Sequence, residues 1–373
     1  MKIHLFAPFF SGSHRRWASE YARFSAHDVR LFTLPGRHWK WRMHGAAVEL
    51  ARQFLDQPEQ PDLILTTDML DVATFQALTR SRTAAIPTAV YFHENQLTYP
   101  WSPTDEDVKQ RRDRHYAWIN YTSALAADAV FFNSQYHHDG FLSALPGFLK
   151  AFPDYEGLDT VDQIRQKSSV LYLGMDLRAF DAVEARFQSD VPVLLWNHRW
   201  EYDKNPEAFF GCCEQLQEEG LDFRLIVVGE AYAKSPAVFA AAKEQLSSKI
   251  LHWGYAESFE EYAALVKSAH ILPVTSRQDF FGGSVVEAMY CGVYPLLPDR
   301  LAFPEHVPER YHGQLVYQSD AELLEKLRKL LRLPEMLPAE SRAHITQGTN
   351  RYDWNHIASR YDEQLVTLFR VQH

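Results

Sequence analysis

The sequence contains little cysteine: Cys212, Cys213 and Cys291 are the only three in 373 residues. Two of them are adjacent and none has C-x-x-C spacing, so we expect neither a disulfide framework nor a cysteine zinc site. No uncharged apolar run approaches the ~18 residues that a membrane-spanning helix requires, and the amino terminus lacks the pattern of a signal peptide. These absences predict a cytoplasmic protein that is neither exported nor embedded in a membrane.

Low-complexity stretches are also absent. The residues are 46% hydrophobic and 23% charged, a balance that is typical of a globular chain and too hydrophobic for a disordered one. A length of 373 residues exceeds what a single hydrophobic core usually organises, and it therefore favours two domains.

The charge is unevenly distributed along the chain. A net charge of −10 argues against a protein that binds nucleic acid over its whole surface. Residues 1–150 carry 16 Lys and Arg against 15 Asp and Glu, whereas residues 151–373 carry 22 against 33. A polyanionic partner is therefore expected to meet the first half of the chain.

Short β-branched or aromatic runs alternate with segments of helical period, as in the βαβ units of a parallel sheet. The pattern occurs twice, on either side of a polar segment at 177–192 that we interpret as a hinge. We predict an α/β fold with two doubly wound Rossmann-like domains, 1–185 and 186–350, facing a central cleft, and an amphipathic helix within 351–373 that packs near their junction. The predicted strands are 3–9, 29–34, 63–66, 89–93, 129–133 and 170–173, then 193–197, 223–229, 250–253, 270–273 and 293–297.

A first candidate site follows the first predicted strand of the second half. There Arg199 and Lys204 lie in a loop that leads into a helix near Pro206. Two cations and the N–H groups of a helix N-terminus are suited to clamping a diphosphate. The alternative is that both cations are surface charges paired with Glu201 and Asp203, and the sequence leaves the two interpretations open.

A second candidate site spans Asp279 and Glu287, two carboxylates eight positions apart. The glycines between them let a phosphate or a sugar hydroxyl approach the backbone. Glu287 lies in an apolar surrounding and needs a partner, which ribose hydroxyls would supply. Alternatively, Asp279 caps a helix and Glu287 forms a structural ion pair. The candidate donor-binding residues here are Phe281, Gly282, Gly283, Ser284 and Glu287.

Two loops after strands of the first half contain polar residues. Ser11, Gly12 and Ser13 can turn backbone N–H groups toward an anion, although the signal is weaker than that of a glycine-rich loop. His93 either binds a substrate hydroxyl or is a hydrogen-bonded core histidine. We expect no metal site, because His14 has no carboxylate partner at metal-ligand spacing.

Two segments of the first half interleave cations with aromatic rings, a combination that suits single-stranded RNA. The alternative interpretation is a solvated helix face for one segment and packing at a rim for the other. The candidates are Arg37, Trp39, Lys40, Trp41 and Arg42 in one segment, and Arg111, Arg112 and Arg114 in the other.

In combination, a histidine after a middle strand, the Arg199 and Lys204 pair and the acid-x7-Glu element resemble the retaining nucleotide-sugar glycosyltransferases of GT-B architecture. A closer resemblance is to the tRNA-queuosine mannosyltransferases. The segments that carry this closer resemblance are Phe10–His14, Leu34–Pro35 with Trp39, Trp41 and Arg42, His93–Pro100, His198–Lys204 and Tyr290–Leu296. In addition, Leu173–Phe180 is similar to the segment that closes the first domain of GT-B enzymes.

This resemblance implies a retaining enzyme without a metal or cofactor that transfers mannose from GDP-mannose to the cyclopentenediol of queuosine in the anticodon stem-loop of an aspartate tRNA. The alternatives are a GT-B enzyme with a lipid or small-glycoside acceptor and a non-catalytic tRNA- or nucleotide-binding protein. The implied catalytic residues are His93, Arg199, Lys204 and Asp279. Implied donor contacts include Ser11, Gly12 and Ser13, and implied acceptor contacts include His14, Glu94, Asn95 and Gln96 with the two basic aromatic segments.

Overall fold

The computed structural model describes residues 1–101, 107, 114–231, 236–333 and 339–372. The chain forms two compact units, Met1–Asp176 with Trp354–His373, and Leu177–Asp353. Each unit is built on one six-stranded sheet in which every recorded pairing is parallel. The prediction of an α/β fold with two doubly wound sheets is confirmed. Among the described residues, none of the helices has both the length and the apolar content to cross a membrane.

The sheet of the first unit has the strand order β2-β1-β3-β4-β5-β6. Because β2 and β3 lie on opposite sides of β1, the strand order switches direction between β1 and β3. Its strands are β1 (Lys2–Phe10), β2 (Asp28–Pro35), β3 (Leu63–Thr67), β4 (Thr88–Phe92), β5 (Ala129–Phe132) and β6 (Ser168–Val170). The helices described up to residue 176 are α1 (Gly12–Phe24), α2 (Trp39–Leu55), α3 (Val72–Thr83), α4 (Arg114–Ala126), α5 (Gln135–Leu149) and α6 (Thr160–Gln166).

The second unit repeats this plan with the order β12-β11-β10-β7-β8-β9, so that its switch lies between β7 and β10. Its strands are β7 (Val193–Trp196), β8 (Arg224–Val228), β9 (Ile250–Gly254), β10 (Ile271–Pro273), β11 (Tyr294–Pro298) and β12 (Val316–Tyr317). Its helices are α7 (Pro206–Glu218), α8 (Val238–Gln245), α9 (Phe259–Lys267), α10 (Gly283–Tyr290), α11 (His312–Leu315), α12 (Asp320–Arg332) and α13 (Ala339–Thr349).

The division between the units falls after Asp176, earlier in the chain than the predicted boundary at 185. The reason is that the segment interpreted as a hinge packs within the second unit. The Phe180 ring lies 4.9 Å from the Phe259 ring, and the Asp181 carboxylate accepts a hydrogen bond from the Tyr290 hydroxyl.

The C-terminal helix α14 (Trp354–Gln372) belongs to the first unit rather than forming a separate element. The Trp354 side chain is fully buried, and its indole N–H donates to the Glu20 carboxylate at 2.8 Å. The hydroxyl of Tyr361 donates to the Tyr172 carbonyl at 2.8 Å and accepts from the Trp17 indole at 3.2 Å. The last helix of the chain therefore completes the core of the first sheet.

Replacement of Trp354 by alanine should destabilise the first unit strongly. Removing a fully buried tryptophan leaves a cavity, which costs ~3–5 kcal/mol of the free energy of unfolding. Urea titration would measure the loss. The control Trp41→Ala removes a side chain that is 65% exposed, and it should change the free energy by at most ~0.5 kcal/mol. Equal midpoints for the two variants would contradict the assignment of α14 to this core.

Candidate active site

The second unit brings together the loops that follow β7 and β10, on either side of its switch point. Ligands of doubly wound sheets bind at the carboxyl ends of strands at such a point. The loop after β7 contains Arg199 and Lys204, and the loop after β10 contains Asp279. Lys204 and Asp279, which are 75 residues apart in the sequence, thus meet at the carboxyl ends of the strands of one sheet.

The two cations of the predicted clamp have different surroundings. The Lys204 side chain is only 8% exposed; its Nζ lies 3.0 Å from the Asp279 carboxylate and 3.3 Å from that of Asp203. It also donates a hydrogen bond to the Gln278 carbonyl at 2.7 Å. The Arg199 side chain is 48% exposed and lies 3.3 Å from the Glu201 carboxylate. Lys204 is therefore part of a buried ionic cluster, whereas the Arg199 guanidinium reaches solvent.

The loop before α10 presents backbone N–H groups at the N-terminus of the helix. Gly282 caps this helix with φ +87°, and a Cβ at this position would come within 2.8 Å of the Phe303 ring. Gly283 begins the helix; the N–H groups of Val285 and Val286 bond to the Gly282 carbonyl, whereas those of Gly283 and Ser284 precede the first bonds of the helix. The backbone of this loop thus has the conformation that an anion or a hydroxyl needs for close approach.

A buried histidine fixes this loop from behind. His306 lies 2.6 Å through Nε2 from the Phe281 carbonyl and 3.0 Å through Nδ1 from the Tyr352 hydroxyl. Burial lowers the pKa of His306 to about 4, so the ring is neutral near pH 7, donating through Nε2 and accepting through Nδ1. The sequence analysis did not identify His306 or Tyr352, since neither directly follows a predicted strand or belongs to a recognised motif.

Glu287 is buried, and its carboxylate accepts a hydrogen bond from the Tyr262 hydroxyl at 2.7 Å. Asn197 connects the same hydroxyl to α10, because its Nδ2 lies 3.3 Å from the Tyr262 hydroxyl and 2.7 Å from the Ser284 carbonyl. The Ser284 hydroxyl lies 3.1 Å from Nδ1 of His198. Asn197 stands directly after β7, so the rule that polar residues follow strands would have identified it, whereas Tyr262 carries no such signal.

The first unit assembles a second cluster around its own switch point. His14 follows β1, Asp68 follows β3 and His93 follows β4. All three are buried, and donor atoms from the three side chains lie within 4.8 Å of one another, a spacing at which a metal ion can also be held. The carboxylate that the sequence analysis did not find for His14 therefore comes from another strand.

Burial controls the protonation of this cluster. It lowers the pKa of His93 to about 3 and that of His14 to about 4, so both rings are neutral near pH 7. Burial also raises the pKa of Asp68 to about 6, an effect that His14 and backbone N–H groups at residues 93 and 94 oppose. The position of Asp68 directly after a buried strand is a sequence signal that we overlooked.

The other loop residues of the first unit divide into exposed and buried groups. Gly12 and Ser13 are exposed at the start of α1, and a Cβ on Gly36 would lie 2.1 Å from that of Ser11, so these two turns touch. Asn95 is fully buried; its Oδ1 accepts hydrogen bonds from the N–H groups of residues 97 and 98 and shapes the loop. The Glu94 carboxylate accepts from the side chain of Gln96 at 3.0 Å.

The predicted basic aromatic residues at the start of α2 and in the region before α4 differ in exposure. Trp39 packs 5.1 Å from the Tyr116 ring, and Nζ of Lys40 lies 2.6 Å from the Asp107 carboxylate. Trp41 is 65% exposed. Arg37 and Arg114 are also exposed, while Arg42 donates to the Pro35 carbonyl at 3.1 Å; the predicted acceptor residues Arg111 and Arg112 lie outside the described residues.

Comparison with known proteins assigns a relationship to each unit. Residues 2–175 match the family described as tRNA-queuosine alpha-mannosyltransferase N-terminal, and residues 178–350 match glycosyl transferases group 1. The chain is 34% identical over 343 residues to the tRNA-queuosine alpha-mannosyltransferase of Drosophila melanogaster, covering 90% of this chain and 88% of that protein.

Two further similarities are more distant. Over 175 residues, the chain is 26% identical to the GDP-mannose:cellobiosyl-diphosphopolyprenol alpha-mannosyltransferase of Xanthomonas oryzae, covering 46% of each protein. Among solved structures, sucrose-phosphate synthase from Thermosynechococcus elongatus has the same fold, with a TM-score of 0.69 at 15% identity over 100% of both chains.

The Lys204→Met variant should destabilise the second unit more than Arg199→Met. Loss of Lys204 leaves the buried Asp203 carboxylate without its cation, and breaking a buried pair costs ~3–5 kcal/mol. The exposed pair of Arg199 should contribute at most ~1 kcal/mol. Chemical denaturation of both variants tests the difference, and similar stabilities would show that the Lys204 cluster is not structurally important.

Proposed function

Because the chain belongs to the tRNA-queuosine alpha-mannosyltransferase family of glycosyltransferases, we propose that it transfers mannose from GDP-mannose to the cyclopentenediol of queuosine in tRNA(Asp). The reaction retains the anomeric configuration and requires no metal or other cofactor. The observation that carries the proposal is the match to the Drosophila mannosyltransferase, which extends over both structural units. The name of the Xanthomonas relative, which includes GDP-mannose, supports the choice of donor.

In this proposal the second unit binds the donor. Glu287, held by the Tyr262 hydroxyl, accepts hydrogen bonds from the ribose. Arg199 and Lys204 contact the diphosphate together with the backbone N–H groups at the start of α10. Asp279 contacts the sugar. The remaining proposed donor contacts are Phe281, Gly282, Gly283 and Ser284, with Ser11, Gly12 and Ser13 from the first unit.

The chemical problem is the charge that develops on the departing diphosphate. Arg199, Lys204 and the helix N-terminus stabilise that charge, and a preorganised site makes each such donor effective. The acceptor oxygen bonds to the anomeric carbon on the face from which the diphosphate leaves, as the bond from that carbon to the phosphate oxygen breaks. A phosphate oxygen takes the proton of the acceptor hydroxyl, so the enzyme needs no nucleophile of its own.

The first unit receives the acceptor in this proposal. His93 binds a hydroxyl of the sugar or of the acceptor. The balanced charge of residues 1–150 and the exposure of Arg37 and Trp41 support RNA contact at α2. The other proposed acceptor contacts are His14, Trp39, Lys40, Arg42, Glu94, Asn95, Gln96, Arg111, Arg112 and Arg114. A tRNA acceptor also supports the expected location in the cytoplasm.

The first test is mass analysis of anticodon nucleosides after incubation of queuosine-containing tRNA with the enzyme and GDP-mannose. The queuosine nucleoside should gain one hexose. Matched controls are the same tRNA without queuosine and the same reaction with UDP-glucose, neither of which should give the product. Unchanged queuosine together with mannosylated polyprenol would instead favour a lipid acceptor, as named for the Xanthomonas relative. Donor binding without any transfer would favour a non-catalytic protein.

Arg199→Ala should reduce kcat for mannosyl transfer by about 100-fold, the effect of losing one donor to the transition-state charge. The effect is separable from folding, since the Arg199 side chain is 48% exposed. The control Arg224→Ala removes a cation that pairs with Asp222 at the start of β8. This position is at the amino-terminal ends of the strands, whereas Arg199 follows the carboxyl end of β7. Wild-type kcat in Arg199→Ala would refute the diphosphate clamp.

A further inference from the structure

The buried cluster of the first unit contains a carboxylate that the proposed mechanism does not use. Oδ1 of Asp68 accepts a hydrogen bond from the backbone N–H of His93 at 2.9 Å and lies 3.5 Å from Nδ1 of the same histidine. One carboxylate thus faces both the main chain and the ring of a proposed catalytic residue. Asp68 is itself only 1% exposed, so solvent does not share this contact.

The rest of the surroundings hold His93 in one position. Nδ2 of Asn133 donates to the His93 carbonyl at 2.8 Å, so both polar groups of this residue's backbone are bonded to side chains. Nδ2 of Asn120 donates to the Asp68 carbonyl at 3.0 Å. The rings of Trp17 and Tyr91 lie 4.7 and 4.8 Å from the His93 ring and leave it little room to rotate.

The His93 ring lacks hydrogen-bond partners, and the Asp68 carboxylate lacks a cationic partner, among the described residues. Within the described residues, both ring nitrogens of His93 are buried without a hydrogen-bond partner, and no Lys or Arg pairs with Asp68. A neutral imidazole carries one N–H and one lone pair. The carboxylate favours the N–H on Nδ1, the nitrogen that faces it, and the lone pair is then on Nε2.

We propose that Asp68 is a positioning residue that holds His93 as its Nδ1–H tautomer, so that Nε2 accepts a hydrogen bond from a substrate hydroxyl. This inference rests on the proposed function, in which the first unit binds a hydroxyl-bearing sugar or acceptor at His93. An Nε2–H tautomer would present a donor in place of an acceptor at the same point. The carboxylate therefore determines the direction of the hydrogen bond that this site offers.

The decisive variant is Asp68→Asn. The asparagine Oδ1 can still accept the backbone N–H of His93, but the side chain no longer carries the negative charge that favours a proton on Nδ1, so the Nε2–H tautomer gains population. We expect kcat for mannosyl transfer to fall by about 10- to 100-fold, with less than a threefold change in KM for GDP-mannose. The matched control is Asp71→Asn in the same loop, which alters only the cap that Asp71 provides to Thr74 of α3 and should retain wild-type kcat.

The tautomer is measured directly by nitrogen NMR of protein labelled in its histidines, with the His93 signals assigned from their loss in His93→Gln. Wild-type enzyme should show His93 protonated at Nδ1, and Asp68→Asn should show a larger fraction protonated at Nε2. An Nε2–H tautomer in the wild type would overturn the proposal, even when Asp68→Asn does not fold. Wild-type kcat in folded Asp68→Asn would overturn it as well.

Metal analysis tests whether the cluster binds a metal ion instead, since donor atoms of His14, Asp68 and His93 lie within 4.8 Å of one another. A divalent cation bound stoichiometrically by wild-type enzyme and lost in Asp68→Asn would overturn the tautomer role. The NMR readout does not depend on turnover. Failure of mannosyl transfer in wild-type enzyme would therefore refute the proposed function, while the histidine spectra would still decide the relation between Asp68 and His93.

Discussion

Both polar clusters depend on the way strands end in a parallel sheet. All the strands of such a sheet finish at one edge, and the connections on the two sides of a switch point leave in opposite directions. The sheet edge between diverging loops is not covered by either loop. Side chains from distant parts of the sequence can therefore meet there, as Lys204 and Asp279 do in the second unit and His14 and Asp68 do in the first.

The two units accommodate buried polar groups in different ways, and the difference indicates what each is suited to bind. In the second unit a cation, Lys204, is buried against two carboxylates, and an exposed guanidinium lies in the same loop. In the first unit, burial keeps His14 and His93 neutral beside one acid. The cluster of the second unit is suited to a charged ligand. The cluster of the first unit is suited to uncharged hydroxyls, because a neutral imidazole can either donate a hydrogen bond to a hydroxyl or accept one from it.

The sequence predicts the elements whose apolar residues recur with a regular period, and the polar residues that directly follow a strand. Among the strands of the described residues, ten of twelve show as apolar runs. The predicted run 170–173 overlaps β6 (Ser168–Val170) only at Val170, and β12, of only two residues, is too short to leave a pattern. Residues selected because they follow strands, such as Arg199 and His93, do lie at the sheet edges. Tyr262 and His306 act through side-chain contacts between elements that are distant in the sequence, and periodicity carries no information about such contacts.

In the proposed reaction, the burial of Lys204 links recognition of the sugar by Asp279 to neutralisation of the diphosphate. Its charge is compensated in the structure by Asp203 and Asp279, so a diphosphate placed beside this cluster would meet two carboxylates as well as one ammonium group. Asp279 is the more exposed of the two acids. In the proposed reaction it turns to hydroxyls of the sugar, and Lys204 then has charge available for the leaving group. A donor with the wrong sugar would leave Asp279 on Lys204, and Arg199 would have to stabilise the diphosphate without it.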